Sequence, residues 1–352
     1  MTQHLTTGIA LTVEQVELAV VELMSHGVMA EVKAEFLAAL GTKGETVEEI
    51  AAFVRALRAL SIQPPLDAAT RAGEILDVCG TGGDRLNTFN ISTTVALIAA
   101  SAGIRVAKHG NRAITSQAGS ADVLEELGIK IDLTPAQAAA ALRDHHFAFF
   151  FAPNYHPSFQ AIAPARKLCA ANGRRTIFNF LGPLLNPARP TVQLIGVPQP
   201  QLCEPVASVL QALELRRGMV VCGTVSAARQ EPRPTVRYLD ELSTLGENTV
   251  AEFYQPRALA VSVLSPMDFS IQPATLEDLA GSDRKGNAEI VRRVLSGKER
   301  GPKRDAVLLN ASAALLVAEK ARSLGEGWEM AGELIDSGKA MRKLQELVAA
   351  SR

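Results

Sequence analysis

Asp77-Val-Cys-Gly-Thr-Gly-Gly-Asp84 is followed, within thirty-six positions, by Asn90-Ile-Ser-Thr93 and Lys108-His-Gly-Asn-Arg112. Glu74 to Val78 reads as a short strand of buried apolar residues. Gly80, Gly82 and Gly83 then let the backbone turn sharply and come close to a ligand, and the amide groups of such a turn can bind an anion. A helical pattern begins after Asn90, which places the amides and hydroxyls of Ser92 and Thr93 at a helix N-terminus, where donors and dipole favour phosphate. Lys108 and Arg112 add positive charge. Donors on so many separate loops exceed the needs of one oxyanion and suit a ligand with two phosphate groups held apart by a sugar. The glycines do not follow the G-x-G-x-x-G spacing of a dinucleotide turn, and no G-x-x-x-x-G-K-[ST] loop occurs.

Outward from this stretch, strand patterns at Arg105 to Ala107, Phe147 to Phe151, Val192 to Val197 and Arg217 to Cys222 alternate with helical ones. This alternation predicts an α/β fold, a mainly parallel sheet flanked by helices. Before it lies a small helical domain. Thr12-Val-Glu-Gln15 and Thr46-Val-Glu-Glu49 read as capping boxes, and a further helix is expected from about Val28 to Leu40, ended by Gly41. Ser61-Ile-Gln-Pro-Pro65 stops the last of these helices, because proline removes donors and blocks helical continuation. Thr134-Pro-Ala-Gln137 opens a helix within the alternating region, Gly223 to Arg237 reads as an exposed loop, and the last fifty residues are helical again.

The chain has 352 residues, enough for two lobes, and its hydrophobic content of 47% with 5% aromatic residues suits an Ala/Leu/Val-rich α/β protein. A formal net charge of −1 offers no global field for nucleic acid or an acidic membrane surface, so any anion site must be local. Cys79, Cys169, Cys203 and Cys222 show neither C-x-x-C nor zinc-ligand spacing and read as reduced thiols of a cytoplasmic protein. No apolar stretch reaches the ~18 residues of a membrane span, and the N-terminus lacks the pattern of an export signal.

Gly80-Thr-Gly-Gly-Asp84, Asn90-Ile-Ser-Thr93, Lys108-His-Gly-Asn-Arg112, Gly119-Ser-Ala-Asp122, Phe178-Asn-Phe-Leu-Gly-Pro-Leu-Leu-Asn-Pro187 and Leu239-Asp-Glu-Leu-Ser243 together resemble the anthranilate phosphoribosyltransferases in order and spacing. The resemblance runs from about Leu11 to Leu347. It implies a small helical domain of residues 1–72 that also takes in roughly 157–186, and a large α/β domain of residues 73–156 and 187–352. It further implies a homodimer through the small domain and an active site in the cleft between lobes. The implied reaction joins anthranilate to phosphoribosyl pyrophosphate (PRPP), giving N-(5-phosphoribosyl)anthranilate and pyrophosphate in tryptophan biosynthesis.

Carried over position by position, the resemblance assigns PRPP binding to Gly80, Gly83, Asp84, Thr88, Asn90, Ile91, Ser92, Thr93, Lys108, Ser116 and Ser120. It assigns anthranilate binding to Gly80, Asn111 and Arg166, with His109 and His156 near the acceptor. Magnesium, two ions per site, falls to Ser92, Asp240 and Glu241. The residues alone do not divide the donors between the 5′-phosphate and the pyrophosphate. The reaction needs neutralisation of leaving-group charge more than a strong base, and no residue is assigned as general base, since the arylammonium product is acidic enough to lose its proton after C–N bond formation. Several positions depart from the family pattern. Gln160 stands where a basic residue is usual, about three extra residues lie between Arg166 and Arg175, Gln117-Ala118 replaces Lys-Ser, and Tyr238 replaces glycine. Three rivals stay open: a same-fold phosphoribosyltransferase for another aromatic acid, a nucleoside phosphorylase, and a non-catalytic relative that binds nucleic acid.

Overall fold

The computed structural model of this chain describes residues 1–113, 117–225, 236–255 and 258–352. Five helices come first: α1 (Thr2–Thr6), α2 (Val13–Met24), α3 (Ala30–Lys43), α4 (Val47–Ala59) and α5 (Ala68–Ala72). Thr12 and Thr46 form the expected capping boxes, with Gln15 and Glu49 reaching back to the cap amides. The helix expected to end at Gly41 runs on to Lys43 and stops at Gly44, whose φ of 85° suits glycine. Gly41 has a different task, because a Cβ there would lie 3.1 Å from the Arg175 carbonyl of a neighbouring segment.

The α/β region continues with β1 (Ile75–Gly80), α6 (Ile91–Ser101), β2 (Arg105–Gly110), α7 (Ser120–Leu127), α8 (Pro135–His145), β3 (Phe147–Phe151) and α9 (Ala152–Tyr155). Two more helices, α10 (Ala163–Ala171) and α11 (Phe178–Leu181), interrupt it, and α10 packs on α3, where Lys33 Nζ donates to Ala161 O at 2.9 Å. The strands resume with β4 (Val192–Gly196), then α12 (Cys203–Ala212), β5 (Arg217–Val225), β6 (Arg237–Leu239), β7 (Asn248–Tyr254) and β8 (Ala260–Leu264). Helices α13 (Arg284–Leu295), α14 (Pro302–Val317), α15 (Leu324–Asp336) and α16 (Lys339–Ala350) complete the chain.

The sheet order is β3-β2-β1-β4-β5-β7-β8, with β6 pairing β5. Strands β1 to β5 are parallel, as the alternation predicts, whereas β6, β7 and β8 add an antiparallel flank that the sequence reading did not include. One face is covered by a cluster built around α6, α13 and α14, the other by α12 and the N-terminal helices with α10. Strand order reverses between β1 and β4, so their carboxyl ends open the crevice where ligands of such sheets bind. Among the described residues no helix is long and apolar enough to cross a membrane.

Candidate active site

Gly80 and Gly196 end β1 and β4 side by side in register. The Asp240 backbone and carboxylate lie across both, since a Cβ on Gly80 would meet Asp240 Oδ2 at 2.5 Å and one on Gly196 would collide with the Asp240 carbonyl. Only glycine tolerates so close an approach at these strand ends. The chain then turns through Gly82 (φ 73°) and Gly83 (φ 107°), left-handed conformations that also favour glycine, and the Gly82 amide donates to Asp240 Oδ2 at 2.6 Å. The phosphate-type turn and the acidic pair, 158 residues apart, are thus one structure.

Buried asparagines hold the acidic loop. Asn310, in the Ala/Leu-rich α14, accepts from Leu242 N and donates to Leu242 O, both at 2.8 Å, while Asn248 Oδ1 accepts from Ser243 N at 2.6 Å. Glu241 Oε1 accepts from the Ser92 amide at the start of α6, at 3.2 Å. Burial raises Asp240 well above the usual carboxylate range, and Asp84 and Glu241 nearby raise it further. Burial likewise raises Glu241, to about 7, against the opposing pull of Lys108 and the Ser92 amide. Lys108 is buried, donates to Val78 O at 2.7 Å and to Ser92 Oγ at 3.3 Å, and is lowered by burial. Close carboxylates at a cleft, beside one buried lysine, are an arrangement that a hard divalent cation would stabilise. Among the described residues no three Asp, Glu, His or Cys side chains form a ready metal cage; the oxygen donors of Asp240 and Glu241 suit magnesium, which keeps waters and takes substrate oxygens.

The remaining donor-side positions divide between open and structural ones. Asn90 occupies the N-cap position of α6 without a side-chain cap bond, its Oδ1 accepting instead from Asn287 Nδ2 at 2.9 Å, and Thr88 bridges to Ala280. Thr93 is buried with an unpartnered hydroxyl, whereas the Ile91 side chain lies in the core and its amide donates to Phe89 O at 2.7 Å. Asp84 Oδ2 faces the Asp240 amide at 3.5 Å. Ser120 opens α7 beside Gly110, the end of β2. Ser116 lies outside the described residues, as does most of the segment read as the exposed loop between Gly223 and Arg237. One expectation fails: Arg112, read as charge for the phosphates, pairs with Asp122 at 3.1 Å and Glu125 at 2.9 Å on α7. The acids that claim it are ten and thirteen residues away and become neighbours once α7 forms.

The predicted acceptor-side residues form a connected series. The His109 and His156 rings meet edge to face at 5.4 Å, His156 stacks on Phe159 at 5.0 Å, Phe159 meets Phe178 at 5.8 Å, and the Arg166 guanidinium lies 5.5 Å from the Phe178 ring. Burial lowers His109 to about 3 and His156 to about 4, so both rings are neutral at pH 7. Their Nε2 atoms are buried and unpartnered, so each ring keeps one unsatisfied polar atom. Asn111 is exposed, its Oδ1 accepting from Arg112 N at 2.8 Å.

Positioning residues escaped the sequence reading. Asp77, within β1, is fully buried and raised to about 6, chiefly by burial. Its carboxylate accepts from Asn186 Nδ2 at 2.9 Å and faces the His109 amide at 3.4 Å. The available signal was a polar residue inside an apolar run, Asp77 in Ile-Leu-Asp-Val-Cys and Asn310 in Val-Leu-Leu-Asn-Ala-Ser-Ala-Ala-Leu-Leu.

Comparison with known proteins bears on this arrangement. The helical bundle domain of a glycosyl transferase family matches residues 1–61, and the α/β domain of the same family matches residues 72–341. The anthranilate phosphoribosyltransferase of Petrotoga mobilis is 42% identical over 98% of this chain and 94% of its own length. That of Desulfosudis oleivorans is 46% identical over 89% of this chain and 86% of its own. The crystal structure of anthranilate phosphoribosyltransferase from Thermus thermophilus superposes with a TM-score of 0.86 at 38% identity, covering 100% of this chain and 99% of that one. The Saccharomyces cerevisiae enzyme in complex with PRPP and Mg gives a TM-score of 0.80 at 27% identity, over 96% of this chain and 92% of that one.

Proposed function

The chain belongs to the anthranilate phosphoribosyltransferase family, and on that premise we propose that it transfers the 5-phosphoribosyl group of PRPP to the amine of anthranilate, releasing pyrophosphate, in tryptophan biosynthesis. The observation that carries this reading is the junction of two unlike surfaces at the ends of β1, β2 and β4. One is the acidic and glycine-rich turn with Lys108, and the other is the neutral histidine and aromatic series that leads to Arg166.

In this reading Gly80, Gly83, Asp84, Thr88, Asn90, Ile91, Ser92, Thr93, Lys108, Ser116 and Ser120 surround PRPP. Lys108 and the α6 N-terminus offset phosphate charge. Asp240, Glu241 and Ser92 would hold magnesium, which when bound would neutralise the departing pyrophosphate. Two ions per site are supported by the spread of the donors, Asp240 turned toward the glycine turn and Glu241 toward Ser92. The Arg166 guanidinium pairs with the anthranilate carboxylate through a two-pronged hydrogen bond. Asn111, His109 and His156 contact the acceptor, whose ring suits the apolar walls of Phe159 and Phe178. As the anomeric C–O bond breaks, its electron pair leaves with pyrophosphate. The amine lone pair forms the C–N bond, and the resulting ammonium then sheds its proton without a dedicated base.

The proposal includes the domain division given above, a cytoplasmic location and a homodimer. The four described cysteines are buried free thiols, which suits a reducing compartment. Support for the dimer is a set of exposed apolar side chains on α2 and nearby, Val13, Leu18, Val21, Met29 and Val32, with Val21 59% and Met29 68% exposed. Loss of anthranilate fluorescence with purified protein, PRPP and magnesium, each omitted in turn, tests the reaction. Consumption only in the complete mixture is expected. No consumption by folded protein that still binds PRPP would transfer the assignment to another aromatic acid.

A further inference from the structure

At the opposite, amino-terminal end of the parallel strands lies a cavity of about 360 Å³. Its wall includes Arg55, Arg58, Arg189, Thr191, Glu214 and Arg216. Thr191 directly precedes β4 and Arg216 directly precedes β5, so the length of a five-residue strand, roughly 16 Å at ~3.3 Å per residue, separates this wall from Gly196 at the crevice.

The charges in this wall are poorly matched. Arg216 pairs with Glu74 at 3.1 Å, but Arg55, Arg58 and Arg189 make no ion pair among the described residues. Arg55 donates instead to the Ala212 carbonyl. Arg58 is only 8% exposed; its Nε donates to Leu184 O at 2.8 Å and its Nη2 is buried with no partner. Burial, with the neighbouring Arg189 adding to it, lowers it to about 10. Asp77, the acid in electrostatic reach of Arg58, is already bonded to Asn186, and Glu214, the one carboxylate in the wall, makes no ion pair with any of its arginines among the described residues. Buried guanidinium groups are kept where an anion meets them, because an unpaired buried donor and like-charge repulsion both cost free energy. A planar fork of donors is matched best by phosphate or carboxylate oxygens, and several arginines together favour the dianion.

We propose that this cavity is a second ligand site, separate from the crevice, that binds a phosphate-type anion, either orthophosphate or a small phosphate ester. Arg58 stands between this cavity and the crevice, within electrostatic reach of His109 and His156. Filling the cavity would therefore partly neutralise a charge that both acceptor-side rings experience.

Calorimetric titration of the full-length protein with orthophosphate and, separately, glycerol 3-phosphate, in a buffer containing about 150 mM chloride, tests the site. Wild type is expected to bind orthophosphate at the crevice and at the cavity. Arg55→Ala with Arg189→Ala, two exposed positions, should keep the crevice event and weaken the other by about tenfold or more. The tighter of the two probes at the cavity tells an ester from free phosphate as its ligand. Crystals soaked in selenate give an independent readout, with an anomalous peak expected beside Arg58 in wild type and absent from the double variant. A single binding event in wild type that persists unchanged in the variant, two unchanged events in the variant, or a selenate peak confined to the crevice would overturn the proposal.

Discussion

The two halves of the crevice are built on opposite electrostatic plans. On the donor side, Asp240, Glu241 and Lys108 are crowded into buried positions beside the half-buried Asp84, and burial pushes Asp240 and Glu241 upward and Lys108 downward. On the acceptor side, His109 and His156 are neutral, with ring-to-ring packing out to Arg166. The difference matches the chemistry each side would face. A departing pyrophosphate needs compensating charge held in a low-dielectric place, whereas an amine must be uncharged to attack and is best held by shape and by a remote ion pair.

The sharpest way to break this contrast is to neutralise the donor side. Asp240→Asn with Glu241→Gln should lower kcat by roughly 10²- to 10³-fold and raise the magnesium requirement. Steady-state rates across a magnesium titration check this, and an effect confined to the KM for anthranilate would contradict the division. The corresponding change on the acceptor side is milder. Arg166→Ala should raise the KM for anthranilate by about tenfold or more with kcat nearly unchanged, because it removes one charge-assisted pair.

A pH series probes the donor side without mutation. Glu241 has a folded pKa near 7, above its usual value of 4.5. An acid raised in this way binds more protons folded than unfolded between those values, so the metal-free protein should lose stability as pH rises from about 4.5 to 7. Magnesium needs the carboxylate form, so its affinity should fall by up to about tenfold per pH unit below 7 and level off above it. Thermal denaturation with and without magnesium from pH 5.5 to 8.5 would show a magnesium-induced rise in Tm that grows with pH, and a pH-independent rise would remove Glu241 from the metal site. The smallest effect is expected at Arg112→Ala. The guanidinium and Glu125 are exposed and Asp122 is half-buried, so stability should change by no more than ~1 kcal/mol and the KM for PRPP by less than about twofold, measured in the same assay. A large rise in that KM would return Arg112 to the phosphates.

Much of the architecture was legible from local pattern. Thr12, Thr46 and Thr134 cap helices as read, β3 spans the residues expected, and the parallel α/β plan follows from alternating periods. The antiparallel flank was not legible, since β7 and β8 announce themselves only through pairing with β5 and each other. Gly41 misled because glycine serves both as a helix stop and as a point of close approach, and only the position of Arg175 distinguishes the two. In the candidate site, the short motifs fall on loops that the fold brings together, while the supports behind them, Asn310, Asn248 and Asp77, are single polar residues with nothing local to say what they hold.

The amino-acid sequence by itself determined where the parallel strands, the glycine turn and the capped helix starts fall, because glycine conformations, caps and apolar periods act within a few residues. It also determined the family, through six short motifs in register. The tertiary structure alone decided which charges stay available. Lys108 and Arg112 are four residues apart in one motif, yet Lys108 is buried beside Ser92 and Arg112 is held by Asp122 and Glu125. Likewise, Asp240 becomes part of the glycine turn only because Gly80 and Gly196 lack side chains at adjoining strand ends. Coulomb energy and steric contact depend on distance in space, and chain separation carries almost no information about that distance until the fold has formed.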